Sequence, residues 1–172
     1  MPGAERWREP TRSLPLTWGV YPDRYLAGLW LAITGALHVQ GSNTYALHPM
    51  LVGAVGGIVG WSILPASGWR RIVAALLATG TTAALLAGPI AMWTVTLAVL
   101  AWLLVRHRPL RGYIVLLLPL ANGFILPRLF EDYRWMPLCL AVSLGVAVAS
   151  AWLARAIAAG VRGPGRSTAS SR

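Results

Sequence analysis

RGYIVLLLPLANGFILPRLFEDYRW, residues 111–135, is the stretch on which the reading of this chain turns. It opens on arginine and runs through apolar side chains interrupted by Pro119, Asn122, Gly123 and Pro127. It closes in the cluster Arg128, Glu131, Asp132 and Arg134. An apolar run of about 20 residues is long enough to cross a bilayer as a helix. The stretch therefore reads as a membrane span, and its polar interruptions make it the least simple span in the chain.

The rest of the sequence agrees with that reading. The chain has 172 residues, of which 56% are hydrophobic, and its mean hydropathy is +0.60; ordinary soluble domains hold about 45–50% apolar residues. Five further apolar runs bring the expected spans to six, at 22–40, 47–64, 72–87, 89–105, 112–128 and 136–157, between polar tails at 1–21 and 158–172. The fold class expected is all-α: a polytopic membrane protein with six transmembrane helices in one bundle. The run after Tyr25 is too long for the apolar core of a cleaved leader, so the first span is expected to remain in the mature protein. Trp7 and Trp18 of the first tail suit the headgroup level. Cys139 is the sole cysteine, which excludes an internal disulfide or a thiolate cluster.

Small residues recur at helical spacing. The first span carries Gly28, Ala32, Gly35 and Ala36, the second Gly53, Gly56, Gly57 and Gly60, and the sixth Ala141, Gly145 and Ala149. Lipid gives helices no hydrophobic reason to associate, so close backbone approach through such stripes is what holds them together. A helix as glycine-rich as the second needs tight neighbours and is expected at the centre.

Charge sets the expected orientation. All 15 basic residues are arginine, and in the successive polar segments they number 4, 0, 2, 0, 3, 2 and 4. Arginine-rich segments near membrane ends stay cytoplasmic. Both termini are therefore expected inside a bacterial-type plasma membrane, and the net charge of +10 falls on that side. The partner implied is the anionic inner leaflet rather than nucleic acid.

The candidate site residues gather at the opposite, outer end. His38 ends the first span, His48 opens the second, Asn122 lies within the fifth, and Arg128, Glu131 and Asp132 follow it. Two imidazoles and a carboxylate are a possible zinc donor set, but the spacing matches no dense ligand motif, so neither metal nor cofactor is expected. The bland role for the histidines is hydrogen bonding to loop carbonyls. Arg128 precedes Glu131 by three and Asp132 by four, spacings at which helical charges neutralise one another; the alternative is a polar mouth that gathers a solute. Two roles fit Asn122: bonding the carbonyl of Val115 or Gly123, which Pro119 and Pro127 leave without donors, or facing a ligand.

Three spans start inside and the next three outside, with the second glycine-rich and the fifth proline-interrupted. Interrupted segments at matching positions of two halves point to a transporter's binding site. The leading expectation is a non-enzymatic small-solute binding or transport subunit, with its site between the second and fifth helices. In length, six spans and termini on the inside, the chain is similar to the substrate-binding components of energy-coupling-factor vitamin transporters. Ala32 and Ala36 look like their small-residue docking stripe, and the resemblance implies an ATPase module as partner. The alternatives are a structural partner in a membrane complex or homo-oligomer, and a membrane enzyme using His38, His48, Glu131 or Asp132 on a lipid-linked substrate. No HExxH, nucleophile elbow or phosphate-binding glycine loop supports the last.

Overall fold

The computed structural model describes Thr11, residues 19–43 and residues 45–160. Among these the chain is all-helical. It forms α1 (Tyr21–Gln40), α2 (His48–Ile63), α3 (Gly68–Ala84), α4 (Val95–Val105), α5 (Leu117–Leu129) and α6 (Met136–Gly160). Short 3-10 segments extend α3 at its end and lead into α4, α5 and α6. With those segments joined on, Gly68–Ala87, Leu110–Leu129 and Tyr133–Gly160 are long and apolar enough to cross a membrane. The helix at α2 and the segment Pro89–Val105 are apolar but shorter. Trp7, Trp18 and the chain beyond Gly160 lie outside the described residues.

The helix starts follow from proline. Pro22 and Pro49 sit in the opening turns of α1 and α2, where a missing N–H costs no hydrogen bond. Pro119 acts differently, because it lies inside a helical run. Its nitrogen cannot donate to the Val115 carbonyl and its ring crowds that oxygen. Residues Leu110–Leu116 accordingly wind as 3-10 helix, and α-winding begins only at Leu117. Pro127 withholds a donor from Gly123 in the same way, and α5 ends two residues later, where Phe130 leaves helical geometry at φ −134° and ψ 85°. The second helix, by contrast, is unbroken from His48 to Ile63. The 3-10 winding thus falls at the end of α3 and ahead of α4, α5 and α6; it marks the fifth helix, as expected, but not the second.

The most extensive contact in the molecule joins α1 to α2. A Cβ placed on Gly35 would stand 2.5 Å from the Gly57 nitrogen and 2.6 Å from the Gly53 oxygen, and one on Gly60 would stand 2.5 Å from the Ala32 nitrogen. A Cβ on Gly28 would stand 2.9 Å from the Gly60 oxygen. These pairings run in opposite directions along the two helices, so the pair is antiparallel. Glycine's low helix propensity is offset here by direct backbone contact. A second close crossing sets Gly123 of α5 against the backbone of Met92 and Trp93.

Other glycines of the stripes sit differently. A Cβ on Gly57 or Gly145 would meet nothing within 4 Å, and one on Gly56 would meet only atoms at 3.8 Å and beyond. Gly57 thus takes part through its backbone, which Gly35 approaches, and Gly145 faces open space. Ala32 and Ala36 point into the crevice between α1, α2 and α3. Both are half-buried there.

Hydrogen bonds between helices order their ends. Thr81 Oγ1 lies 2.9 Å from both the Leu77 and Thr94 oxygens, and Gln40 Nε2 donates to the Thr82 oxygen at 2.8 Å. At the far end Arg24 Nε donates to the Ile63 oxygen at 3.1 Å, and Arg106 Nη1 to the Tyr21 hydroxyl at 2.7 Å. The start of α1, the ends of α2 and α4, the start of α3 and the end of α6 therefore share one end of the molecule. That end holds Arg24, Arg70, Arg71, Arg106, Arg108, Arg111 and Arg155, with Asp23 the only carboxylate there among the described residues. Arg128 and Arg134 stand at the other.

Candidate functional site

Among the described residues, no hydrogen bond or ion pair joins the residues expected to form an outer site to one another. His38 is exposed, and its Nδ1 lies 2.8 Å from the Thr34 oxygen of its own helix rather than from a loop carbonyl. His48 is exposed at the start of α2. The turn between them is closed by Asn43, whose Oδ1 accepts from the Tyr45 and Ala46 N–H groups at 2.9 Å each. Among the described residues no group of three or more His, Cys, Asp or Glu stands close enough to hold a metal ion.

The acidic pair has a different partner from the one its spacing suggests. Because α5 ends at Leu129, Glu131 and Asp132 lie beyond helical reach of Arg128. Asp132 instead meets Arg134 at 3.3 Å, with both side chains well exposed. Exposed pairs of this kind contribute little.

Asn122 bonds neither the Val115 nor the Gly123 carbonyl. Its Nδ2 donates to Ser143 Oγ of α6 at 2.9 Å, and that hydroxyl lies 3.5 Å from the Met92 sulfur. Ser143 and Met92 are buried. The amide is thus used in packing α5 on α6, where an unbonded polar group would be costly.

The expected cleft between α2 and α5 is likewise absent. α2 packs on α1 and α3, whereas α5 packs on α4, its 3-10 lead-in and α6, and the two share no extended contact. A large opening lies elsewhere, between α1, α4 and α6, and its volume is about 570 Å³. Small-molecule pockets run from about 300 to 1,000 Å³.

Each wall of this groove is one stripe of a helix. α1 contributes Tyr25, Leu29 and Ile33, four residues apart; α4 contributes Ala98, Val99 and Trp102, and Arg106 follows its last residue, four beyond Trp102. α6 supplies Leu144, Ala147, Val148, Ala151, Trp152 and Arg155, with Trp61 and Arg108 completing the lining. The alanines make room and the tryptophans give broad apolar surface. Arg106, Arg108 and Arg155 all lie at the arginine-rich end, so the groove is apolar along its length and cationic at one tip.

Apart from Arg111, the arginines of this end fall into two sets. Arg24 and Arg71 donate to the Ile63 and Ser62 oxygens at the end of α2, and Arg70 to the Leu104 oxygen at the end of α4. There they serve the unsatisfied carbonyls and the negative end of the helix dipole. The second set is Arg106, Arg108 and Arg155, which line the groove. Arg106 is held over the Tyr25 ring at 5.2 Å and the Trp102 ring at 5.5 Å, and it donates to Tyr21. Such cation–π contacts hold the guanidinium against the two ring faces.

His107 links the loops beside the groove. It adopts φ 50°, and its Nε2 accepts from the Ser67 N–H at 3.4 Å with Ser67 Oγ at 3.3 Å. Burial first, and the Arg70 charge second, push its pKa below the ordinary imidazole value. The neutral ring, with its proton on Nδ1, is the form that fits.

Sequence reasoning placed interest at the outer end because polar residues in an apolar chain attract notice there. The groove had a signal of its own. Trp102 precedes Arg106 by four and Trp152 precedes Arg155 by three, each at the end of an apolar helix that finishes on the same side. No protein-family model, curated protein or solved structure matches this chain.

Proposed function

We propose that the protein is a multi-pass integral membrane protein, arginine-rich end in the cytoplasm, that binds a small amphipathic anion in the groove between α1, α4 and α6 as a non-enzymatic binding or transport subunit. Support for the membrane setting comes from the three long apolar helices and from large apolar side chains such as Trp30, Leu76, Leu144 and Trp152 left exposed around the molecule. Sorting of arginine to one end supports the orientation. The observation that carries the binding reading is the groove itself, with apolar walls over its length and three guanidiniums at one tip. A ligand with an apolar body and an anionic head satisfies both parts at once; a polar solute would leave the walls unmatched.

The test is thermal unfolding of the purified protein in nonionic detergent with a long-chain alkyl phosphate, an alkyltrimethylammonium of the same chain, or the parent alcohol. The phosphate is expected to raise Tm, while the cation and the alcohol leave it unchanged. Ala151→Trp, which fills the floor of the groove, should abolish the shift. An equal shift with the cation, or an undiminished shift in Ala151→Trp, refutes the reading.

A further inference from the structure

We infer that the occupant of this groove is an anionic phospholipid drawn from the surrounding cytoplasmic leaflet, with its phosphate among Arg106, Arg108 and Arg155 and one acyl chain laid along Trp102 and Trp152. The inference rests on the reading just given and names the ligand class for that same site.

Depth argues for a lipid over a soluble anion. The α6 wall runs from Arg155 back to Leu144, a separation of 11 residues in one helix. At about 1.5 Å per residue the wall is about 16 Å long. Half of a hydrocarbon core about 30 Å thick is about 15 Å. The groove thus begins at the charged rim and ends near mid-membrane, which is the depth one leaflet's acyl chain occupies. Arg106 follows Val105, the last residue of α4, so the cationic tip stands where an apolar helix gives way to charge. That is the level of lipid phosphates.

The walls offer lateral entry. Trp152 and Leu144 of α6 and Ile33 of α1 are exposed while lining the groove, so its rim is continuous with the outer surface of the helices. A lipid reaches it by sideways diffusion, with its chain never leaving hydrocarbon. The head site is preorganised, since Arg106 is fixed by Tyr21, Tyr25 and Trp102 and loses little side-chain freedom on binding. The cytoplasmic leaflet is also the one that carries anionic lipid.

The experiment uses the full chain. It is purified from the membranes in which it is expressed, and its retained lipids are identified by native mass spectrometry. The delipidated protein is then titrated with phosphatidylglycerol or phosphatidylcholine of identical chains in mixed micelles. An anionic phospholipid is expected to be retained, and phosphatidylglycerol to bind about tenfold or more tightly than phosphatidylcholine, the worth of one hydrogen bond to a charged group. Arg155→Gln should remove most of that preference and Arg155→Lys should keep part of it. Arg155 is exposed on α6, so these variants decide the matter even if Arg106→Gln fails to fold. Equal binding of the two lipids, or an unchanged preference in Arg155→Gln, overturns the inference. If the alkyl phosphate still stabilises the protein in that case, the groove is a soluble-anion site; if it does not, the binding reading falls as well.

Discussion

A single methyl group separates glycine from alanine, and at the α1–α2 seam it has nowhere to go. At Gly35 and Gly60 it would overlap backbone atoms of the facing helix at 2.5 Å, whereas at Gly57 and Gly145 it would meet nothing within 4 Å. Gly35→Ala and Gly60→Ala are therefore expected to destabilise by ~1–3 kcal/mol, the usual range for overpacking. Gly57→Ala and Gly145→Ala should be neutral or stabilising by up to ~1 kcal/mol, because alanine favours the helix. Chemical or thermal unfolding in bicelles separates the two pairs, and equal losses in all four would contradict the seam as described. The four-residue spacing made these stripes visible in the sequence, but spacing cannot say which member of a stripe faces the neighbour. Gly123 shows the converse. It lies against Met92 and Trp93, yet with no companion at helical spacing it drew notice only as an interruption. Asn122 was legible as a residue needing a partner. Its partner, Ser143, lies 21 residues away on another helix, and nothing local in the sequence points to it.

At the scale of elements, proline acts through the local backbone, and Pro22 and Pro49 stand in the opening turns of α1 and α2. α3 begins at Gly68, before the first strongly apolar residue Ile72, since Trp69, Arg70 and Arg71 are compatible with a first helical turn and hydropathy alone cannot see that. The loops at the arginine end are tied by His107 and Ser67, and this link has a pH dependence. The folded state lowers the His107 pKa, so between the folded and unfolded values the unfolded chain binds more protons. The stabilisation is then complete above the ordinary imidazole pKa of about 6.5 and declines as pH falls through that value and on through the folded one. Tm measured from pH 8 to pH 5 should fall for the native protein and fall less for His107→Gln. Parallel profiles would show that the imidazole is not the group responsible.

Across the whole molecule, arginine sorting was the most legible feature, because it is a sum over segments and survives errors of a few residues at every boundary. The topology it implies is checked with single cysteines on a Cys139→Ser background. Asn43→Cys and Asp132→Cys should react with a membrane-impermeant maleimide on intact cells, and Ser67→Cys and Pro109→Cys only after lysis; labelling on the reverse sides would dismantle the orientation. The groove was far less legible, since its walls come from helices distant in the chain and each wall alone reads as an ordinary lipid-facing stripe.

The α1–α2 seam has a consequence for the order in which the molecule is made. Its glycine contacts join residues no further apart than Gly28 and Gly60, so this hairpin closes over a short loop of chain and can form while synthesis continues behind it. The groove needs Leu144 to Arg155 as one of its walls, and these residues are made only after the first five helices. A nascent chain halted after α5 would possess the tightest seam of the native protein and a groove still lacking one of its three walls.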